Sequence, residues 1–339
     1  MVGFHNDALQ ALFSSVAERA ITQSRIPLHS PGSAAQKTVD GKSYVYWRVY
    51  LASGKHKETS LGRTGKAATV TALENKLLER EEMRTLAADL QVLRKANFAV
   101  ADNSSILTLA TLFNAGVFSH GGMLLGSHAF GGLLNSLGVR SRAKCRSGTE
   151  IISLAFPQTG SLLDILRSSG IPLNDEPGLD SSRSAISLKV RGKFREVDLL
   201  MPGTETCETR TLPGLQARAT GLPYFHYLVS SPASGFILGK AHVVPVTLPG
   251  PARFALHKLI MSALREPSRK QTAENDLQQA AVLIDALTER FPDWLVSAAN
   301  SLEEHASLRV ASAATHTLKL VPELSQRARD FLSDLGGRA

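Results

Sequence analysis

Residues 121–130 read GGMLLGSHAF, and this stretch decides how the middle of the chain folds. An apolar run, Met123 to Leu125, ends at Gly126-Ser127, and a stretch rich in small residues then continues to Gly138. The pattern predicts a short buried strand followed by a helix. A glycine and a serine at this junction form either an ordinary turn or an anion site. The anion site would use the free N–H groups at the helix start and the glycine, which lets a phosphate approach the backbone closely.

Composition narrows the class of protein. The chain has 339 residues, 43% of them hydrophobic, and a formal net charge of +8. These values predict two or three folded domains and favour phosphate-bearing partners. The two cysteines, Cys145 and Cys207, are too few for a disulfide framework, and we interpret them as free thiols. We find neither a signal peptide nor a membrane-length apolar stretch, so we expect a soluble cytoplasmic protein with no membrane partner.

The segments before residue 100 predict a helix, a loop, a hairpin and more helix. Apolar spacing over 4–24 is helical, and 27–36 is a loop rich in Pro, Gly and Ser. Residues 42–62, KSYVYWRVYLASGKHKETSLG, alternate in polarity around Ser53-Gly54 and predict a β-hairpin. Residues 67–96 predict a solvated helix or helix pair.

Beyond residue 100 the pattern predicts a mixed centre and a helical end. Asn103-Ser104-Ser105 is expected to cap a helix that ends at Gly116, and residues 253 to the end are expected to be helical after the break at Pro249-Gly250-Pro251. Further predicted elements are strands at 149–156, 223–229, 235–240 and 242–248, a helix at 161–170 and a hairpin at 184–202. The fold class is therefore α+β, with an N-terminal region (1–100), a core (101–250) and a C-terminal helical domain (251–339).

Several segments, in this order, carry a family resemblance. They are the hairpin 42–62, AGVFSHGGMLLGSHAFGGLLNSLGVR (115–140), EVDLLMP (196–202), and PGPARFALHKLI (249–260) with NDLQQAAVLIDAL (275–287). On these segments the chain resembles the nucleotidyltransferase superfamily, which shares the fold of DNA polymerase β, and within it a bacterial group. The resemblance implies a mixed sheet flanked by helices. It also implies that Gly126 and Ser127 hold the triphosphate of an NTP, and that Arg253 and Lys258 contact the nucleotide.

The resemblance also implies Mg²⁺ held by three carboxylates, and the sequence departs from that pattern. The family places two aspartates one residue apart on a strand, and these positions fall on Ile151 and Ser153 in TEIISLA. The third carboxylate survives as Asp198, which alternatively pairs with Arg195 or Lys193 as an ordinary hairpin residue. Glu150 and Asp198 together offer a substitute site for a single Mg²⁺ with several waters.

Basic residues cluster near the same segments. Lys189, Arg191, Lys193 and Arg195 recur at every second position and would line one face of a regular hairpin, while Arg140 and Arg142 precede the strand at 149. They are either solvated charges or a positive funnel for a phosphate or a nucleic-acid backbone.

Two functions follow from these observations. The first is Mg²⁺-dependent transfer of a nucleotidyl group from an NTP to an acceptor such as a nucleic acid or a protein, with activity weakened or lost because two acids are replaced. The second is a catalytically inactive module that binds a nucleotide or a nucleic acid and regulates a partner.

Overall fold

A computed structural model gives the structure of the chain and describes all residues except 1, 52–53, 141–148, 153–163, 166–185, 191–192, 205–207, 213–216 and 338–339. The helices of the described residues are α1 (Asp7–Ile21), α2 (Ala67–Lys95), α3 (Asn103–Asn114), α4 (Gly126–Ser136), α5 (Phe225–Val229), α6 (Pro251–Leu264), α7 (Lys270–Arg290), α8 (Pro292–Asn300), α9 (Glu304–Leu320) and α10 (Gln326–Gly336). The strands are β1 (Gly3–Phe4), β2 (Ser33–Val39), β3 (Lys42–Tyr50), β4 (His56–Arg63), β5 (Met123–Leu125), β6 (Val139–Arg140), β7 (Thr149–Ile152), β8 (Ile186–Val190), β9 (Lys193–Pro202), β10 (Thr209–Leu212), β11 (Ala217–Leu222), β12 (Pro232–Leu238) and β13 (Val243–Pro249).

The central sheet is mixed, which confirms the predicted α+β class. Its strand order is β10-β11-β9-β7-β5, and β8 pairs with β9. Strand β9 runs parallel to both β7 and β11, whereas β5 is antiparallel to β7. Helices α3 and α4, the hairpin β12–β13 and the C-terminal helices share one hydrophobic core with this sheet.

The N-terminal sheet is separate from the central one. Strands β2, β3 and β4 form a three-stranded antiparallel sheet, and the predicted hairpin is its β3–β4 part. Trp47 and Val49 are buried, and Gly62 of β4 lies so close to Thr69 of α2 that an added Cβ would be 2.4 Å from the threonine hydroxyl. One face of this sheet is therefore packed at the start of α2.

Two asparagine side chains fasten the N-terminal region to the core. Asn114 accepts a hydrogen bond from the backbone N–H of Ile26 at 2.8 Å and donates one to its carbonyl at 2.9 Å. Asn135, in the last turn of α4, does the same with Ala99 at 2.8 and 2.9 Å. Each amide satisfies the N–H and the C=O of one residue, as a neighbouring strand would.

Several predicted elements need correction. Residues 223–229 form no strand, because Tyr224 adopts a left-handed conformation (φ 54°) and α5 follows it. The loop expected at 27–36 gives way to β2 at Ser33, and 67–95 is one uninterrupted helix. Helix α3 is capped by the side chain of Asp102, which accepts from the N–H groups of Ser104 and Ser105. Only two residues of the helix expected at 161–170 are described.

Candidate functional site

The Gly126-Ser127 corner has the geometry that the sequence predicts. Strand β5 is buried along its length, and α4 begins at Gly126, whose φ of +75° lies in the region that favours glycine. The residue before the helix, Leu125, contributes no side-chain cap to its N-terminus. A helix N-terminus favours an anion electrostatically, and Ser127 beside it is only partly buried.

Backbone pairing brings two acidic positions next to this corner. Leu125 pairs with Glu150 across β5 and β7, and Glu150 pairs with Asp198 across β7 and β9. We call residues that pair across neighbouring strands a row of the sheet. Leu125, Glu150 and Asp198 form one such row, and Leu125 directly precedes Gly126.

Ile151 occupies the neighbouring row. Its partners are Leu124 and Leu199, which are both fully or almost fully buried. Because successive rows of a sheet alternate between its two faces, the register separates Ile151 from Asp198 and joins Asp198 to Glu150. Ser153, the other position that the family pattern assigns to an acid, lies outside the described residues.

The basic hairpin differs from the expectation of a single charged face. Lys189 pairs with Phe194, whereas Lys193 and Arg195 pair with Val190 and Leu188. In this antiparallel pair an odd-numbered residue of β8 pairs with an even-numbered residue of β9, so Lys189 is in a different set of rows from Lys193 and Arg195. Because successive rows alternate between the two faces of a sheet, the expectation of a single charged face is wrong for Lys189. Arg191 and Arg142 lie outside the described residues, and Arg140 is exposed on β6, where it pairs with Gly3 of β1.

Arg253 lines a cleft at the C-terminal end of β9. The cleft has a volume of about 420 Å³, and its lining includes Pro202, Tyr224, Tyr227 and Glu303. The Arg253 guanidinium lies 4.8 Å from the centre of the Tyr227 ring and donates to the Tyr227 carbonyl at 3.3 Å. Pro202 is four residues beyond Asp198, a distance of about 13 Å along a strand, so this cleft is centred away from the acidic row of the Gly126 corner.

Lys258 is engaged inside the C-terminal helices. Its ammonium donates to Oδ1 of Asp276 at 2.7 Å and lies 5.4 Å from the centre of the Phe254 ring. Arg265 contacts the other oxygen of the same carboxylate at 3.3 Å. In this structure the charge of Lys258 is therefore matched by a buried aspartate of α7.

His257 is buried beside this ion cluster. Its Nε2 is 3.0 Å from the carbonyl oxygen of Pro223, which fits an N–H donor. Burial lowers the pKa of His257 from 6.5 to about 4, against the opposing effect of that hydrogen bond. The folded protein consequently binds fewer protons at this site than the unfolded chain between these two pH values.

We expect the free energy of unfolding to fall as the pH drops through this window, because protonation of His257 favours the unfolded chain below pH 6.5. The loss attributable to His257 is about 2 kcal/mol between pH 7 and pH 5. Urea unfolding of the protein and of His257→Gln at both pH values measures it. A pH dependence that is equal in the two proteins contradicts the assignment.

Histidine clusters offer no metal site in the described part of the chain. His120 contacts the Gly116 carbonyl at 2.6 Å through Nδ1, and His128 is buried in α4. Among the described residues, no group of three or more His, Cys, Asp or Glu side chains is arranged to hold an ion. Both cysteines lie outside those residues.

Comparison with known proteins decides the family. A family model described as "Nucleotidyltransferase" matches residues 103–304, which is more than half of the chain. The chain belongs to this nucleotidyltransferase family. No curated protein and no solved structure matches it significantly. The region shared with other nucleotidyltransferases runs from the start of α3 to the start of α9 and contains the Gly126 corner and both paired rows.

The N-terminal sheet and α2 lie outside the matched region. No helix in the described ranges is long and apolar enough to cross a membrane. The cleft beside Arg253 is the feature that sequence reasoning missed. Its only signal was the aromatic run 223–229, which we interpreted as a strand.

Proposed function

We propose that this nucleotidyltransferase binds an NTP at the Gly126-Ser127 corner, with the triphosphate against the first turn of α4. The observation that carries the proposal is the row Leu125–Glu150–Asp198, which places two acidic positions directly beside a helix start that begins with a positive-φ glycine. The helix N-terminus favours the phosphates, and the acidic row supplies positions at which a cation could neutralise them.

The residues present fit one Mg²⁺ better than two. Glu150 and Asp198 are carboxylates in one row, whereas Ile151 lies in an apolar row between Leu124 and Leu199. A bound Mg²⁺ would offset the charge of the triphosphate and favour departure of pyrophosphate. With one ion position instead of two, we propose that nucleotidyl transfer to an acceptor, whether nucleic acid or protein, is slow or lost.

The alternative function is an inactive binding module, and the replacement of the paired family acids by Ile151 and Ser153 favours it. The two functions differ in their metal dependence. An enzyme needs Mg²⁺ for productive binding and transfers label from an α-labelled NTP, whereas an inactive module binds the NTP equally with Mg²⁺ or with EDTA. Glu150→Gln and Asp198→Asn variants remove any Mg²⁺-dependent part of the affinity if the acidic row holds the ion.

The NTP site itself is tested by Gly126→Ala, with Gly138→Ala as the matched control. Both glycines bound α4 and both have positive φ, 75° and 68°, so each substitution strains the backbone by about 1–2 kcal/mol. At Gly138 the added Cβ also displaces the flexible Gln10 side chain, whose Oε1 would be 2.8 Å away. We expect only Gly126→Ala to weaken NTP affinity, by about tenfold or more, because it alone obstructs the phosphates. Equilibrium binding of a labelled NTP measures this. Equal affinity of the two variants for the NTP rules the site out.

A further inference from the structure

The N-terminal sheet has an open face that the nucleotidyltransferase region does not explain. Alternate residues of β3 lie on the side opposite the buried Trp47 and Val49, and Arg63 of β4 pairs with Tyr44 on that same side. We define the open face by its central residues, which are Lys42, Tyr44, Tyr46, Arg48, Tyr50 and Arg63. Tyr50 is 51% exposed, so the face is accessible to a partner.

The open face is positively charged. Lys37 of β2 pairs with Tyr44 in the register and adds a fourth cation to Lys42, Arg48 and Arg63. Glu58 is the one carboxylate on this face within the described strands, and it contacts both Lys37 and Arg48. One acid against four cations leaves a net positive surface with tyrosine hydroxyls between the charges. Cations interleaved with hydroxyl donors are the groups that bind phosphate backbones.

The form of the face favours a duplex over a single strand. Lys37 lies 5.3 Å from the centre of the Tyr46 ring, so that ring is covered by a cation and is not open to base stacking. Tyr44 and Tyr46 are both only partly exposed, which leaves Tyr50 as the one half-exposed tyrosine ring of this face. Single-stranded nucleic acids are bound mainly on exposed aromatic rings, whereas a duplex needs charges and hydrogen-bond donors spread over a surface.

We propose that the open face of the N-terminal sheet is a docking surface for double-stranded DNA. Its cations contact phosphates and its tyrosine edges lie towards a groove, so binding is electrostatic and weakens with salt. The face lies outside residues 103–304, and the proposal is independent of whether the protein transfers nucleotides.

The test measures binding of a labelled DNA duplex of about two helical turns to the full chain by fluorescence anisotropy, between about 50 and 200 mM salt. Lys42→Glu/Arg63→Glu reverses two exposed cations of the open face, and Lys95→Glu/Lys240→Glu is the control with the same change in net charge elsewhere. We expect the first variant to lose about tenfold or more in affinity at low salt and its log–log salt slope to fall by about 2. The control should stay within about twofold of the unmodified chain.

A second variant tests the face without changing its charge. Tyr50→Ala removes a half-exposed ring and should weaken duplex binding while the salt slope stays the same. The proposal is overturned if the open-face and control variants bind the duplex equally. It is also overturned if the unmodified chain does not bind the duplex at low salt, or binds a single strand of the same sequence more tightly.

Discussion

Asp276→Ala is expected to lower the free energy of unfolding by about 3–5 kcal/mol. The Asp276 side chain is 5% exposed and accepts from Lys258 at 2.7 Å and Arg265 at 3.3 Å. The Lys258 side chain is 16% exposed, so removal of the carboxylate leaves at least one cation poorly solvated and without its counter-charge. The penalty arises from this stranded charge rather than from the intrinsic value of the ion pair.

Glu274→Ala is the matched control, two residues earlier on the same helix. Glu274 pairs with Lys270, whose side chain is 82% exposed, at 3.9 Å. Exposed pairs of this kind contribute less than about 1 kcal/mol. Urea unfolding at neutral pH compares the two variants. Similar losses in both would show that the Asp276 cluster is solvated and would contradict its description as a buried network.

Asp285→Ala is expected to cost about 3 kcal/mol, because Asp285 joins both ends of the chain to α7. One carboxylate oxygen accepts from the N–H of Val2 at 2.8 Å, and the other accepts from the N–H of Ser325 at 3.0 Å. Asp285 is 2% exposed, and hydrogen bonds to a charged acceptor contribute about 1.5–3 kcal/mol each. Loss of the carboxylate also leaves two backbone donors to find new partners.

Hydrogen exchange identifies the cause of the loss at Asp285. The amides of Val2 and Ser325 should lose protection in Asp285→Ala beyond the change in global stability. Asp330→Ala is the control, since Asp330 is an exposed carboxylate of α10 that accepts from Gln326 at 2.7 Å, and it should change stability by less than about 0.5 kcal/mol. Unchanged protection of both amides in Asp285→Ala would contradict the proposed contacts.

Local sequence signals predicted most of the helices and the position of the corner. Glycine at 126 and at 138 bounds α4 as expected, and the C-terminal helices follow Pro251. Strand β2 was missed because its residues are mostly small, polar and exposed, so it carries no hydrophobic alternation. The signal that identifies it is Asp40-Gly41, where both residues have positive φ, as a two-residue hairpin turn between β2 and β3 requires.

The secondary structure of short apolar runs and the register of the central sheet could not be predicted from local sequence patterns. Residues 223–229 are apolar enough for a strand, but Phe225 and Leu228 are three apart and both buried, which is the spacing of one helical face. The pairing of Glu150 with Asp198 depends on strands 48 positions apart in the chain, and no local pattern specifies their relative shift. The division into three domains and the roles of the acids stay predictions.

Helix α2 runs from the N-terminal sheet to the hydrophobic cluster that it shares with α1. It meets the N-terminal sheet at Thr69, and its first residue in the hydrophobic cluster with α1 is Leu86. Seventeen residues of helix span about 25 Å. A DNA duplex held on the sheet would thus lie about 25 Å, the length of about seven base-pair steps, from the point where α2 joins the hydrophobic cluster at Leu86. Lengthening or shortening α2 by one turn would alter that distance by about 5 Å while leaving the contacts at both of its ends unchanged.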